Sequence, residues 1–161
     1  DLVAEWDREG MDAHGGSALS GGFDRGLRLW DLASGECVRT LRGHTGGIRC
    51  ISADWRGGRA VSGSNDGTLR LWDLASGRCT RATSTGAGAV SALAADWPRE
   101  RALTGSRDHA VRLWDLASGQ CLRELRGHLG PVLGLAADWV RGRALSGGSD
   151  FSLLLWDLRT G

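Results

Sequence analysis

A Trp-Asp pair that recurs every 42 residues is the feature that most constrains how this chain folds. The four pairs begin at Trp30, Trp72, Trp114 and Trp156. Around the second pair the sequence reads LRLWDLASG, and the stretches around the first, third and fourth differ from it by none, one and three residues. A repeat of this length is a supersecondary unit that cannot bury its own apolar surface and has to stack on its neighbours. The pattern predicts one domain, residues 1–161, made of four tandem copies at approximately 1–42, 43–84, 85–126 and 127–161.

Each copy is predicted to form an antiparallel β-sheet. In the second copy, β-favouring runs at about 48–53, 59–64, 69–74 and 78–84 are separated by turns rich in Gly, Ser, Asn and Asp. No apolar periodicity of helical length occurs in the sequence. Because side chains alternate along a strand, Leu69 and Leu71 lie on one face of the sheet, whereas Trp72 lies on the other. Both faces therefore carry bulky side chains, and we expect neighbouring sheets to cover both.

Charge and hydropathy argue against nucleic acid and membranes as partners. The 20 basic residues oppose 19 acidic ones, and a net charge of +1 supplies no positive field that would attract nucleic acid or an anionic membrane. The longest apolar runs are far shorter than the roughly 20 residues of a membrane-spanning helix. Residues 1–6 also lack the apolar core of a secretory signal. We expect a soluble protein.

The quoted residues resemble the WD-repeat β-propeller family. The resemblance rests on the Trp-Asp pairs, on Gly43-His44 and Gly127-His128 upstream of two of them, and on a period within the roughly 40–45 residues of such repeats. It also rests on an Asp in the tight turn of each copy, at Asp24, Asp66, Asp108 and Asp150. The resemblance implies an all-β chain of four tandem propeller blades, each a four-stranded antiparallel sheet. It also implies a non-catalytic scaffold for protein-protein interaction.

The resemblance further implies a hydrogen-bonded structural brace of His, Ser or Thr, Asp and Trp in each blade. In the second copy these residues are His44, Ser62, Asp66 and Trp72. In the fourth they are His128, Ser146, Asp150 and Trp156. Leu2 and Gly86 occupy the His positions of the first and third copies, so the brace is at best partial there. We expect the first and third sheets to be the softer ones.

The two ends of the sequence raise the question of ring closure. Gly161 matches the turn glycine Gly35, so we expect the last blade to lack its fourth strand. The residues before Asp12 can supply a first strand for the first copy, but they cannot supply a further strand for the last copy. In the family, the ring is usually closed by such an exchange between the termini. We therefore expect either a partial propeller or a homodimer whose two chains close an eight-bladed ring.

Catalytic, metal-binding and cofactor-binding sites have little support in the sequence. His44, Ser62 and Asp66 could suggest a hydrolase triad, but the set recurs as a brace and no Gly-x-Ser-x-Gly elbow accompanies it. No Cys-x-x-Cys pair, phosphate-binding loop or dinucleotide fingerprint is present, so no metal or cofactor is expected. We predict that the cysteines, Cys37, Cys50, Cys79 and Cys121, are buried reduced thiols, which favours a cytoplasmic location.

A second Trp series leaves two alternatives open. Trp55, Trp97 and Trp139 each follow an Asp in the turn after the predicted first strand. Exposed rings would form stacking platforms for a carbohydrate, a small ligand or an apolar peptide, whereas rings folded between sheets would belong to the core. Packing is favoured, because burying a Trp removes a large apolar area from water.

The family's partner-binding face implies a set of recognition residues. They precede each turn Asp or lie near the start of the first strands: Phe23, Arg49, Asn65, Ser91, Arg107, Pro131, Leu133 and Ser149. These positions vary among the copies, whereas the framework hardly does, which is typical of a recognition surface. Aromatic and Arg side chains dominate interface energies, so Phe23, Arg49 and Arg107 are the strongest candidates.

Overall fold

The computed structural model contains fifteen β-strands in four antiparallel sheets, and it describes the backbone of residues 3–6 and all of residues 16–86 and 88–161. Sheet I contains β1 (Val3–Trp6), β2 (Ser17–Gly21), β3 (Leu27–Asp31) and β4 (Cys37–Leu41). Sheet II contains β5 (Ile48–Asp54), β6 (Arg59–Ser64), β7 (Thr68–Asp73) and β8 (Cys79–Ser84). Sheet III contains β9 (Val90–Asp96), β10 (Arg101–Ser106), β11 (Ala110–Asp115) and β12 (Cys121–Arg126). Sheet IV contains β13 (Val132–Asp138), β14 (Arg143–Gly148) and β15 (Leu153–Asp157).

The predicted fold class is confirmed. Consecutive strands pair with each other in every sheet, and sheet IV has three described strands where the other sheets have four. The predicted strands of the second copy agree with the observed ones to within one residue at each end. A single 3-10 turn at Trp97–Arg99 is the only helical element in the described part of the chain. No helix in that part is long and apolar enough to cross a membrane.

The Asp of each Trp-Asp pair organises the turn that follows it. Asp73 Oδ1 accepts a hydrogen bond of 2.7 Å from the backbone N–H of Ser76, and Asp115 does the same with Ser118 at 2.7 Å. Such a side-chain bond to the backbone replaces a missing turn partner and favours chain reversal. The pair therefore combines a Trp that packs with an Asp that closes the turn into the fourth strand.

Neighbouring sheets stack so that the leucine face of one covers the tryptophan face of the next. Leu19 and Leu27 of sheet I pack with Trp72 of sheet II in one buried cluster. The same arrangement joins Leu69 of sheet II to Trp114 of sheet III. A third cluster joins the leucine face of sheet III to Ala144 and Trp156 of sheet IV. The prediction that both faces of a sheet are covered is confirmed for sheets II and III.

The leucine face of sheet IV is uncovered. Leu153 and Leu155 are 72% and 67% exposed, whereas Val111 and Leu113 at the same places in sheet III are 0% and 4% exposed. At the other end of the stack, Leu32 of sheet I is exposed, although its counterparts in the other sheets are buried. The stack therefore ends in two faces that would be interior in a longer stack.

The prediction of buried cysteines is wrong for two of the four. Cys50 is buried, and burial raises the pKa of its thiol to about 12. Cys37, Cys79 and Cys121 begin the edge strands β4, β8 and β12, where Cys37 and Cys121 are exposed and Cys79 is half-buried. All four thiols are free.

Candidate functional site

The strands of all four sheets run between two surfaces of the stack, and these two surfaces carry different turns and loops. One surface bears the loop before the first strand of each sheet and the turn between its second and third strands. We call this surface the loop face. In sheet II these are residues 42–47 and the turn at 65–67. The other surface, which bears the turns after the first and third strands, is called the opposite face.

Four side chains of sheet II form a continuous hydrogen-bonded chain beneath the loop face. Trp72 Nε1 donates to Ser62 Oγ at 2.8 Å, and Ser62 Oγ lies 2.8 Å from Nε2 of His44. Nδ1 of His44 lies 2.9 Å from Oδ2 of Asp66. Because an ionised carboxylate only accepts, Nδ1 carries the proton and Nε2 accepts from the Ser62 hydroxyl. Every polar side-chain atom of these four residues therefore has a hydrogen-bond partner.

Sheet IV repeats this arrangement. Nε2 of His128 lies 2.7 Å from Ser146 Oγ, and Trp156 Nε1 donates to the same oxygen at 2.8 Å. Nδ1 of His128 lies 3.0 Å from Oδ2 of Asp150. The carboxylate also accepts from the backbone N–H of Leu129 at 2.7 Å, which ties the loop to the turn.

The brace takes another form in sheets I and III. Trp30 donates to Ser20 at 2.7 Å and Trp114 donates to Thr104 at 2.8 Å, as in the other two sheets. The turn carboxylates, however, pair with an arginine of the third strand: Asp24 with Arg28 and Asp108 with Arg112. Leu2 lies outside the described residues, and Gly86 is exposed with a φ of 77°.

Burial and hydrogen bonding shift the titration of the brace in sheet II. Burial lowers the pKa of His44, and the neighbouring Asp66 offsets only part of that effect. Burial acts to raise the pKa of Asp66, but bonds from Thr68, His44 and the Thr45 backbone hold it well below its ordinary value. A neutral His and an ionised Asp are therefore the stable forms at neutral pH.

Phe23, Arg49 and Asn65 meet at the junction of sheets I and II on the loop face. The Arg49 guanidinium carbon lies 5.8 Å from the centre of the Phe23 ring, within the range of a cation-π contact. A Cβ placed on Gly47 would lie 2.9 Å from the Phe23 ring and 3.4 Å from Nδ2 of Asn65. The two side chains therefore flank Gly47. Phe23 remains exposed although its ring is in contact with Arg49.

The other predicted recognition residues are distributed over sheets III and IV. The Ser91 hydroxyl lies within hydrogen-bonding distance of the backbone carbonyls of Gly105 and Val132, and donation to Val132 joins sheet III to sheet IV. Arg107, Leu133 and Ser149 are exposed, and Pro131 is half-buried. The carbonyl of Pro131 accepts from the backbone N–H of Ser149 at 2.8 Å. Phe23, Arg49 and Asn65 thus form one group, and Pro131 and Ser149 form a hydrogen-bonded pair.

Sequence reasoning missed two apolar residues of the loop face. Phe151 is fully exposed and has a φ of 61°, and Leu129 is 86% exposed. Gly67 occupies the Phe151 position in sheet II, with a φ of 74°. A bulky residue in the left-handed region is strained, and such strain concentrates at functional sites. The signal in the sequence was a large apolar residue immediately after the turn Asp, where the other three copies have Arg25, Gly67 and His109, all with a positive φ.

The second Trp series lies between sheets, on the opposite face. Trp55, Trp97 and Trp139 are half-buried, and each packs against the cluster of its own junction. Trp97 Nε1 donates to Ser52 Oγ at 3.3 Å, and the guanidinium carbon of Arg59 lies 5.4 Å from its ring centre. The three rings are thus partly covered by neighbouring sheets, whereas the stacking-platform alternative needs exposed rings.

Three arginines on the opposite face bind the turn of the next sheet. Each donates from Nη1 to a backbone carbonyl, in the pairs Arg39 to Ser76 (3.2 Å), Arg81 to Ser118 (2.9 Å) and Arg123 to Thr160 (2.8 Å). These contacts were not predicted, although the Cys-x-Arg motif recurs every 42 residues and so marks an arginine at the same place in three sheets.

A family model described as WD domain, G-beta repeat matches the chain at residues 35–73, 77–115 and 119–157. Together the three matches cover well over half of the chain. Each match contains the last strand of one sheet and the first three strands of the next, so it spans one junction of the stack.

Three similar proteins illustrate the relationship. WD repeat-containing protein 86 of Homo sapiens is 45% identical over 42 residues, which is 26% of this chain and 11% of that protein. WD repeat-containing protein pop1 of Schizosaccharomyces pombe is 49% identical over 37 residues, 23% of this chain and 5% of that protein. Probable E3 ubiquitin ligase complex SCF subunit scon-2 of Neurospora crassa is 47% identical over 36 residues, 22% of this chain and 6% of that protein. The matched part is therefore a small fraction of these relatives.

Proposed function

The chain belongs to the WD-repeat family of β-propellers, and from this premise we propose that it is a non-catalytic scaffold that binds a protein or peptide on its loop face. The observation that carries the proposal is the contrast between a nearly invariant framework and the exposed, variable residues of the loop face. Large apolar side chains are exposed on the loop face at Phe23, Leu129, Leu133 and Phe151. Exposed aromatic residues in a polar surround are typical of interaction sites.

The charges of the loop face favour an acidic partner with an apolar anchor. All four turn carboxylates of this face are engaged within the chain, by His44, His128 or the arginines Arg28 and Arg112. Arg107 is exposed, and Arg49 lies over the Phe23 ring. A segment with Asp or Glu beside an aromatic residue complements this surface.

The brace is a supporting element of the scaffold and not a catalytic triad. Ser62 is 0% exposed, as is the side chain of His44, so a substrate has no access to the hydroxyl. The hydroxyl already accepts from Trp72 and donates to His44. The WD-repeat family is generally non-catalytic.

A displayed library of 12-residue peptides with acidic residues flanking an aromatic one tests the proposal. We expect the wild-type chain to enrich binders whose affinity falls at least ten-fold in the Phe23→Ala, Arg49→Ala, Arg107→Ala variant and weakens with salt. Arg78→Ala, an exposed arginine on the opposite face, is the matched control and should bind normally. Equal binding by the triple variant, or no enrichment by the wild-type chain, contradicts the proposal.

We further propose that the exposed leucine face of sheet IV docks on sheet I of a second copy of this chain. The covering surface is present on the chain itself, because Ala18, Trp30 and Leu32 of sheet I occupy the places of Ala60, Trp72 and Leu74. Those three residues of sheet II cover the leucine face of sheet I. Two chains joined at both ends would form an eight-bladed ring, a number within the known range.

The solution mass from light scattering tests this docking. We expect twice 17.1 kDa for the wild-type chain and 17.1 kDa for the Leu153→Glu, Leu155→Glu variant. Val38→Glu is the control, because Val38 is 57% exposed on the outer strand of sheet I and away from both end faces. A monomeric wild-type chain, or a dimeric double variant that keeps its far-UV circular dichroism, contradicts it.

Small-ligand binding is a second candidate function. Of the three turn tryptophans, Trp139 borders a cavity of about 270 Å³ between sheets III and IV. We propose a cytoplasmic location, which is consistent with four free thiols.

A further inference from the structure

The cavity between sheets III and IV has an apolar wall and a charged rim. Leu113, Trp139 and Leu158 line it, and all three belong to or contact the buried cluster of that junction. Its volume of about 270 Å³ lies just below the roughly 300–1,000 Å³ of drug-sized ligand sites. The space therefore suits a ligand smaller than a typical drug molecule.

The corresponding place at the junction of sheets II and III holds a carboxylate of the chain itself. Oε1 of Glu100 lies 2.9 Å from Nη1 of Arg59. The same guanidinium lies over the ring of Trp97 and also pairs with Asp54 at 2.9 Å. One arginine therefore faces two carboxylates beside a tryptophan.

At the junction of sheets III and IV, the arginine is retained but the glutamate is absent. Arg101 follows Arg59 by one repeat, and Gly142 follows Glu100 by one repeat. The backbone is similar at the two turn positions, with a φ of 52° at Glu100 and 68° at Gly142. The two junctions thus differ in two side chains beside this turn: Gly142 lacks the carboxylate of Glu100, and Arg159 stands where sheet III has Ala117.

The rim of this cavity carries an excess of positive charge. Arg99, Arg101 and Arg159 surround a single lining carboxylate, Asp96, which is already paired with Arg99 at 3.0 Å. Arg101 stands opposite Asp115 in the strand ladder, and hydrogen bonds from Ser118 and, to a smaller extent, the charge of Arg101 lower the pKa of that carboxyl. Within residues 16–86 and 88–161, Arg101 forms no ion pair. The nearby Asp115 is directed to its own turn, where Ser118 donates to it.

We propose that this cavity binds a small organic monocarboxylate. The ligand carboxylate takes the position that the Glu100 side chain holds one junction earlier and pairs with Arg101 and Arg159. The aliphatic or aromatic body of the ligand lies against Leu113, Trp139 and Leu158. Arg provides the fork of donors that matches a carboxylate, and the partly enclosed site strengthens the ion pair. This site is independent of the loop face and of docking by a second copy.

Titration with hexanoate, followed by NMR of the indole N–H signals, tests the proposal. A Trp139→Phe variant assigns the signal of Trp139. We expect hexanoate to shift that signal with saturation in the millimolar range, and hexanol to bind at least ten-fold more weakly. Arg101→Gln should weaken hexanoate binding at least ten-fold.

A built-in carboxylate supplies the decisive comparison. Gly142→Glu should abolish hexanoate binding, because its carboxylate can pair with Arg101 as Glu100 pairs with Arg59, while its Cβ, 3.0 Å from Nε of Arg159, displaces that flexible side chain. Gly58→Glu is the matched control: its φ is 64°, but Ser17 stands in place of the arginine, so binding should be unchanged. Equal shifts with hexanoate and hexanol, or full hexanoate binding by Gly142→Glu or Arg101→Gln, would overturn the proposal.

Discussion

The carboxylate of Asp108 accepts a hydrogen bond of 3.1 Å from Nη1 of Arg112, whereas the corresponding carboxylate in sheet II, Asp66, meets His44. The arginine lies on the third strand of its own sheet, so it holds the turn but does not reach the loop before the first strand. The histidine lies on that loop and joins it to the turn. The two forms of the brace therefore hold different parts of the loop face together.

Hydrogen exchange should distinguish the two forms. The backbone N–H groups of Thr45 and Leu129 donate to the brace carboxylates at 2.8 Å and 2.7 Å, so we expect both to exchange slowly. The amide of Gly86, which stands at the place of His44, donates only to the exposed hydroxyl of Ser84 at 3.3 Å and should exchange faster. We also expect sheet III to exchange faster than sheet II, because both are covered on two faces and only sheet II has the histidine brace. Sheet III as the better protected of the two would refute this expectation.

Removal of the central hydroxyl should be more damaging in sheet II than in sheet III. Ser62→Ala leaves both Trp72 Nε1 and His44 Nε2 without a partner in a buried site, at a cost of about 2–3 kcal/mol in the free energy of unfolding. Thr104→Val removes the partner of Trp114 alone and should cost about 1–2 kcal/mol. Urea denaturation measures both values. Equal costs would mean that the bond to His44 contributes little.

Phe151→Gly should stabilise the fold by roughly 1 kcal/mol, because Phe151 is fully exposed and adopts a left-handed conformation that costs about this much. The reverse change in sheet II, Gly67→Phe, should destabilise by more than this, because its Cβ would also lie 3.0 Å from the backbone oxygen of Gly88. Thermal unfolding of both variants provides the measurement. If Phe151→Gly lowers the melting temperature, the side chain makes stabilising contacts that the exposed geometry does not account for.

The free energy of unfolding should fall in two pH windows. Burial lowers the pKa of His44 below its ordinary value of 6.5, so the unfolded chain binds a proton first as the pH falls, and stability is lost below about 6.5. The pKa of Asp66 is held below 3.8, so its contribution is lost only below about that pH.

Denaturation at pH 7.5 and 5.5 should therefore show a smaller difference for His44→Gln than for the wild-type chain. His109→Gln, which changes an exposed histidine on a tight turn, should keep the full difference. If His44→Gln keeps the wild-type difference, His44 is not the group that titrates.

Most of the fold was accessible from the sequence because the repeat places the same alternation of Leu, Arg and Trp in every sheet. The positions of the strands and the two covered faces around Leu69 and Trp72 follow from that alternation alone. Cys37 was misjudged because a strand pattern does not indicate which strand lies at the outer edge of a sheet. The pairing of Asp108 with Arg112 was not predicted, since it depends on side-chain reach across a turn when a histidine is missing.

The cavity beside Trp139 could not be predicted, because it arises from the relation between Arg101 and Gly142 on different sheets. The exposure of Leu153 and Leu155 also depends on the order in which sheets stack, which the repeat alone does not give. The left-handed conformation of Phe151 could have been predicted, because Gly67 stands at the same place two repeats earlier.

The central claim is that the loop face is the binding surface, and the exchange footprint of a peptide selected from the acidic-aromatic library tests it most directly. We expect slower exchange on binding in the tight turns of the loop face, at residues 22–26, 64–67, 106–109 and 148–151, and no change on the opposite face. Protection confined to the turns of the opposite face, at residues 54–58 and 96–100, would contradict the claim.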